Sequence, residues 1–233
     1  KNIYVSGSNA QMLSQELSSA LRGWPLEYEE FPLSFNEFCR FNNVPVRVFT
    51  ESERAKLKNT FIEFNHSSAF PEVVLIPEKS MKERKLQGYF NTMLFRDLVE
   101  HYKLSNPEMV RYFLKRVMAN LTKPTSINSI YNDLKSQGLK VSKDKLYELA
   151  DHVCSIFMFF RVPKYDKSII KENNSLYKYY IIDNGLRSAV LLPQSGDDGK
   201  LLENTVFLHL RRNCKPTEKI FYYQGTKECD FVF

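Results

Sequence analysis

The sequence is poor in glycine, with eight in 233 residues, and it contains no G-x-x-x-x-G-K-[ST] run. That run is what wraps a triphosphate in backbone amides and neutralises it with a lysine. The chain by itself is therefore expected neither to hydrolyse ATP nor to bind it tightly. Calorimetry on residues 1–233 should show no micromolar ATP affinity. No apolar stretch approaches the roughly 18 residues of a membrane-spanning helix, and no signal peptide is visible at the start. The four cysteines, Cys39, Cys154, Cys214 and Cys229, are scattered. None forms C-x-x-C, and His66, His101, His152 and His209 supply no zinc spacing. Reduced thiols in a cytoplasmic protein are the expectation from that usage.

Apolar and aromatic material is plentiful, at 43% and 14% of the residues. The composition therefore suits packed cores rather than disorder. The net charge of +6 is unevenly placed. Residues 1–106 carry 13 basic and 13 acidic side chains, residues 107–185 carry 13 and 8, and residues 186–233 carry 7 and 6. The positive excess sits in the middle block, as a nucleic-acid surface would require.

Local patterns give an order of elements. Asn2-Ile3-Tyr4-Val5 reads as a buried strand, Ser6-Gly7-Ser8-Asn9 as a polar turn, and Ala10 to Leu21 as a helix with Met12, Leu13, Leu17 and Leu21 at helical spacing. Such a turn sits where backbone N–H groups and a helix N-terminus can meet phosphate. Glu51 to Phe64 and Lys79 to Tyr102 read as helices. After Pro107 come three helical patterns: Glu108 to Leu121, Ile127 to Gln137 capped by Ser126 and ended by Gly138, and Lys143 to about Phe157 capped by Ser142. Two β-rich runs follow, Phe159 to Asp166 and Leu176 to Ile182. Tyr179 to Asp183 has the outline of a strand ending in a metal-binding carboxylate. The turn cluster Asp183-Asn184-Gly185 instead favours Asp183 as the cap of a helix near Leu186. Gly199 to Arg212 reads as a helix, and Lys219 to Tyr223 and Glu228 to Phe233 as paired strands.

The wording of several stretches is more specific than their periodicity. Tyr4-Val5-Ser6-Gly7-Ser8-Asn9-Ala10, Leu21-Arg22-Gly23 and Pro32-Leu33-Ser34-Phe35-Asn36-Glu37-Phe38 resemble a prokaryotic AAA+-like ATPase family. So do Phe70-Pro71-Glu72-Val73 and Leu94-Phe95-Arg96-Asp97-Leu98. The resemblance implies a mixed α/β, multi-part chain. Residues 1–40 would end a P-loop-type ATPase core, residues 41–106 form a helical lid, and residues 107–185 form a winged helix-turn-helix. Residues 186–233 would open a restriction-endonuclease-like module of the PD-(D/E)XK type. Both ends look cut, so the chain is expected to be the C-terminal part of a longer ATPase. Its missing half would bring the nucleotide-binding machinery, with ATP and Mg²⁺ as cofactors of the intact parent, and that parent could form a homo-oligomer.

The resemblance also implies site residues. Ser6, Ser8 and Asn9 map onto a turn that senses the γ-phosphate, without distinguishing which of them faces it. Where the family commonly has Gly-Arg, this chain has Gly23-Trp24. Arg96 maps onto a lid contact to nucleotide or a neighbouring subunit, the alternative being a locally paired helix surface. In the winged helix, Lys143 and Lys145 on the third helix would meet DNA, with Lys164, Lys167, Lys171 and Lys178 flanking it from the wing. The alternative is a protein-interaction module with lysine as solubilising surface. Glu203 and Asp230, with Glu228 two residues earlier, match the first two carboxylates of the nuclease-type metal site. The Glu-x-Lys that would complete that site is not in this sequence, so this chain is expected not to cut DNA. Glu203 could instead act electrostatically in the first turn of its own helix. Three functions stay open: a DNA-associated ATP-driven component, a metal-dependent nuclease regulated by its ATPase, and a signalling ATPase using these parts for protein contacts.

Overall fold

Capping chemistry starts most of the helices. Ser34 and Thr50 each accept a backbone N–H three residues on while Glu37 and Glu53 reach back, two reciprocal capping boxes. They open α1, Phe35–Phe41, and α2, Glu51–His66. Helix α3 is Pro71–Val74, and α4, Lys79–Thr92, continues without a break as a π-helical segment, Met93–Glu100. Asn106, Ser126 and Ser142 cap α5, Pro107–Ala119, α6, Ile127–Ser136, and α7, Lys143–Ser155. Asp183 caps α8, Asn184–Ser188, by accepting the Leu186 N–H, as its sequence context suggests. Helix α9 is Asp197–Asn213. The structure is a computed structural model that describes residues 6–7, 28–168, 170, 172, 175–215 and 217–233. The expected strand at Asn2–Val5 and the helix after it lie outside the described residues.

The chain is mixed α/β and mostly helical, with two small sheets among the described residues. In the first, β1, Pro124–Thr125, and β2, Phe159–Val162, flank β3, Tyr177–Ile181, both antiparallel to it. The register sets Phe159 opposite Ile181, and Val162 and Pro124 both opposite Lys178. The sequence marks Pro124-Thr125 only as a helix break. Proline is tolerated there because β1 is an edge strand of two residues. The second sheet is the antiparallel hairpin of β4, Phe221–Gln224, and β5, Glu228–Val232. The two sheets meet where the Tyr165 N–H donates to the Tyr222 carbonyl and the Tyr222 N–H to the Pro163 carbonyl, at 2.7 and 3.0 Å.

The π-helical segment was not legible from periodicity. Leu86, Phe90, Leu94 and Leu98 are all buried and follow one another at intervals of four. In an α-helix that interval drifts by about 40° per step. The wider π turns turn the stripe back, so Leu94 and Leu98 stay in the core. That core runs from α4 and the π segment through α5, α6 and α7 to β2 and β3. It crosses the division expected between residues 106 and 107. The divisions expected at 40/41 and 185/186 fall inside α1 and α8. Helix α4, the π-helical segment and the middle block therefore share one hydrophobic interior.

Polar contacts fasten α9 to the rest. Asn204 is fully buried on α9. Its amide accepts the Ile181 N–H at 2.8 Å and donates to the Ile181 carbonyl at 2.9 Å, so it takes the place of a neighbouring strand for β3. Arg187 on α8 is buried and bidentate to Asp197, at 2.8 and 3.1 Å, with a third bond from Nε to the Met118 carbonyl. Burial alone would raise the Asp197 carboxyl, but Arg187, the Gln194 N–H and Lys200 outweigh it and hold it down at about 2. Gly185 sits against the Ser68 backbone so closely that a Cβ there would lie 2.5 Å from the Ser68 nitrogen. Among the described residues, no helix is long and apolar enough to cross a membrane.

Candidate functional site

The turn between α6 and α7 builds a basic surface in the middle block. Gly138 adopts φ +77°, the left-handed conformation that ends α6, while the Leu139 N–H returns to the Leu134 carbonyl at 3.1 Å. Leu134 is fully buried, which anchors the turn. The chain then enters α7 through Ser142, whose Oγ accepts the Lys145 N–H. An open cleft results, lined by Tyr131, Lys135, Lys140 and Lys145 together with the backbone of the turn. Lys143 extends over the Tyr131 ring, its Nζ 5.3 Å from the centroid. Lys135, Lys140, Lys143 and Lys145 are all exposed.

Two of the four carboxylates on these helices are neutralised from outside the cleft. Asp133 is paired with Arg116 at 2.8 Å, and Asp151 with Arg161 at 2.6 Å. Four exposed lysines therefore surround one helix N-terminus, whose own partial charge is positive, with Asp144 in the same first turn. The expected pair Lys143 and Lys145 is placed together here. Lys135 and Lys140 were missed, although both flank the Gly138 that marks the turn and could have been found from it. Lys164 is half-buried, with its backbone N–H donating to Ser175 Oγ, and Lys167 is exposed. Lys171 lies outside the described residues.

Lys178 requires a correction. It is not a wing residue reaching toward DNA, because its side chain is 2% exposed. Its Nζ lies 2.8 Å from Asp230 Oδ1, 3.3 Å from Glu203 Oε1 and 3.4 Å from Glu228 Oε1. The Tyr222 ring covers it at 5.4 Å, and the Tyr180 hydroxyl donates to the same Glu203 oxygen at 2.8 Å. Strand alternation explains the placement. With Tyr177 and Tyr179 turned to the main core, Lys178 and Tyr180 point to the opposite face, against α9 and the β4–β5 hairpin. Burial would lower the Lys178 pKa, but the hydrogen bond to Asp230 and the charge of Glu203 outweigh it and raise it. Burial also raises the Glu203 carboxyl, against the pull of Tyr180 and Lys178. Burial first, and then the Glu203 carboxylate, push the Tyr180 phenol far up, which keeps it a donor.

Glu203 and Asp230 thus converge, as a metal site would require, but on an ammonium. Glu203 is not a first-turn residue either. Helix α9 begins at Asp197, and its first-turn acids are Asp197 and Asp198. The resemblance implies Mg²⁺ at Glu203 and Asp230. An ion at their shared focus would lie against the like charge of Lys178. Among the described residues no group of three or more His, Cys, Asp or Glu is disposed to hold a metal ion. The residues as arranged do not fit it.

The residues expected to sense nucleotide are described only in part. Ser6 is exposed, and Ser8 and Asn9 lie outside the described residues. Arg96, on the π-helical segment, is engaged locally, its Nε 2.8 Å from Asp97 Oδ1.

Residues 60–197 match the family model described as Domain of unknown function (DUF8612). The chain belongs to the DUF8612 family. The matched region runs from the last turns of α2 to the first residue of α9, so the basic turn falls inside it. Lys178 is inside it too, while the three carboxylates around Lys178 fall beyond its end. The chain is 32% identical over 235 residues to an uncharacterised protein of Methanocaldococcus jannaschii, covering 99% of this chain and 52% of that protein. It is 29% identical over 236 residues to an uncharacterised protein of Haemophilus influenzae, covering 99% of this chain and 56% of that one. The chain thus spans about half the length of the curated relatives it matches. No solved structure matches it.

Proposed function

We propose that this chain is the DNA-associated, C-terminal region of an AAA+-like ATP-binding protein, and that it holds DNA through a winged helix built from α5, α6, α7 and the sheet β1-β3-β2. The order supports this reading: helix, short strand, two helices across a tight turn, then two strands of which the second, β3, takes the sheet's central position between β1 and β2. In a helix-turn-helix the second of the two helices across the turn carries the groove contacts from its N-terminal residues. Here that helix is α7. The observation that carries the reading is the cluster of four exposed lysines around its N-terminus, with Asp133 and Asp151 neutralised by arginines.

Such a surface meets phosphates. Lysine is a point charge, so it positions a duplex without reading its sequence. The C-terminal hairpin and α9 would then be the opening of a nuclease-like module kept as a fold. ATP and Mg²⁺ would act in the parent through residues outside this chain, and ATP would couple to DNA through the lid.

The test is fluorescence anisotropy with two labelled duplexes of unrelated sequence across a salt series. With three to four phosphates contacted, log K should fall against log salt with a slope of about −3, at roughly 0.9 per phosphate. The two duplexes should bind alike. Binding insensitive to salt, or none at low salt, would remove the reading.

A further inference from the structure

We propose that Lys178 is the resident cation of the Glu203, Glu228 and Asp230 cluster, taking the position of a divalent ion and excluding one. This inference is independent of the DNA reading and rests on the geometry of the cluster alone. Three carboxylates lie within 3.4 Å of a single ammonium that is itself buried. A lysine ammonium has three donor hydrogens, and here it faces three carboxylate oxygens, one from each residue. A fourth group, the Tyr180 hydroxyl, binds Glu203 from the side. Tyr222 closes the cluster with its ring face, which favours a cation beneath it.

The elements are distinct. Lys178 comes from β3, Glu203 from α9, and Glu228 and Asp230 from β5. A single internal cation therefore draws the C-terminal hairpin and α9 onto the first sheet. Three carboxylates around one ammonium leave an excess of negative charge, and Glu228 and Asp230 are about half exposed, which opens the cluster to solvent ions. Without the ammonium those carboxylates would repel one another and demand another counter-ion. Hard divalent cations take oxygen ligands of this kind, with water filling the remaining positions.

Lys178→Met keeps the length and apolar stem and removes the charge. The expected result is that Mn²⁺ binds the folded variant at least about tenfold more tightly than the wild type in a calorimetric titration, and raises the Tm of the variant alone. Adding Asp230→Asn to Lys178→Met should abolish both effects. Equal Mn²⁺ affinity in wild type and variant, or a folded variant that binds none, would overturn the proposal. A measurement on the wild-type chain decides the case where the variant does not fold: reductive methylation read peptide by peptide by mass spectrometry. Lys178 should stay protected to the same extent with and without millimolar Mn²⁺. Increased labelling of Lys178 on adding Mn²⁺ would show that the metal displaces it, and would sink the idea.

Discussion

Replacing Lys140, Lys143 and Lys145 together with glutamate is expected to weaken DNA binding by about 100-fold or more at low salt. Each substitution removes one positive charge from the mouth of α7 and adds a negative one, so attraction to phosphate turns into repulsion. The log–log salt slope should also flatten by about one for every phosphate that the variant no longer holds. The cation–π interaction of Lys143 with Tyr131 does not change this argument, because it orients the ammonium without neutralising it. Net charge is controlled by a second triple variant, Lys56, Lys58 and Lys79 to glutamate, on the exposed faces of α2 and α4. It makes the same change in total charge away from the cleft. Anisotropy titrations of both variants, with circular dichroism to show that each is folded, separate a local surface from a general polyelectrolyte effect. Equal losses in the two variants would move the DNA-binding surface away from α7.

Asp183→Ala is expected to destabilise the fold by about 3–5 kcal/mol, the loss of several donors' partner at one buried point. Asp183 is 1% exposed. One oxygen accepts the Ser68 hydroxyl at 3.1 Å and the Ala69 N–H at 2.7 Å, and the other accepts the Leu186 N–H at 2.8 Å. The side chain caps α8 and ties it to the segment that follows α2, more than a hundred positions earlier in the chain. Truncation strands the buried Leu186 N–H and the half-buried Ala69 N–H and removes the cap together. At about 2–4 °C per kcal/mol for a chain of this size, the Tm should fall by about 10 °C.

The pH dependence has a definite sign. Burial pushes the Asp183 carboxyl up to about 6, against the pull of the Ala69 and Leu186 N–H groups. The unfolded chain, with an ordinary carboxyl near 3.9, loses this proton first as pH rises. The folded state then binds more protons than the unfolded one, so this group lowers stability between about pH 4 and pH 6. Asp183→Asn cannot titrate, so the stability of the wild type relative to that variant should fall across the same window in thermal melts. A constant difference would show that Asp183 ionises alike in both states.

Sequence and structure agree most closely where the chemistry is local. Ser126, Ser142 and Asp183 were legible as caps because a cap is set by residues two or three positions apart. Gly138 was legible as a helix end because only its own φ is at stake. The helices α5, α6 and α7 were legible within a few residues because their apolar positions repeat every turn. The resemblance put Lys143 and Lys145 together on one helix, and both lie in the first turn of α7.

Tertiary structure decided what depends on partners far along the chain. Pro124-Thr125 became a strand only because β3 offers an edge to it. The π-helical turns of Met93–Glu100 were chosen by the core, which holds Leu94 and Leu98 against α5. Asn204 looks like any polar helix residue until its amide meets Ile181, 23 positions away. Lys178 shows the difference most sharply. Its neighbours in sequence mark it as one more basic residue of an exposed wing, and strand alternation turns it instead toward α9 and β5. Its partners lie 25, 50 and 52 positions downstream, and no pattern local to β3 encodes them. A lone lysine defaults to solvent because burying an unpaired charge is costly. What holds this one inside is the convergence of three carboxylates from two other elements, which exists only once the chain has folded.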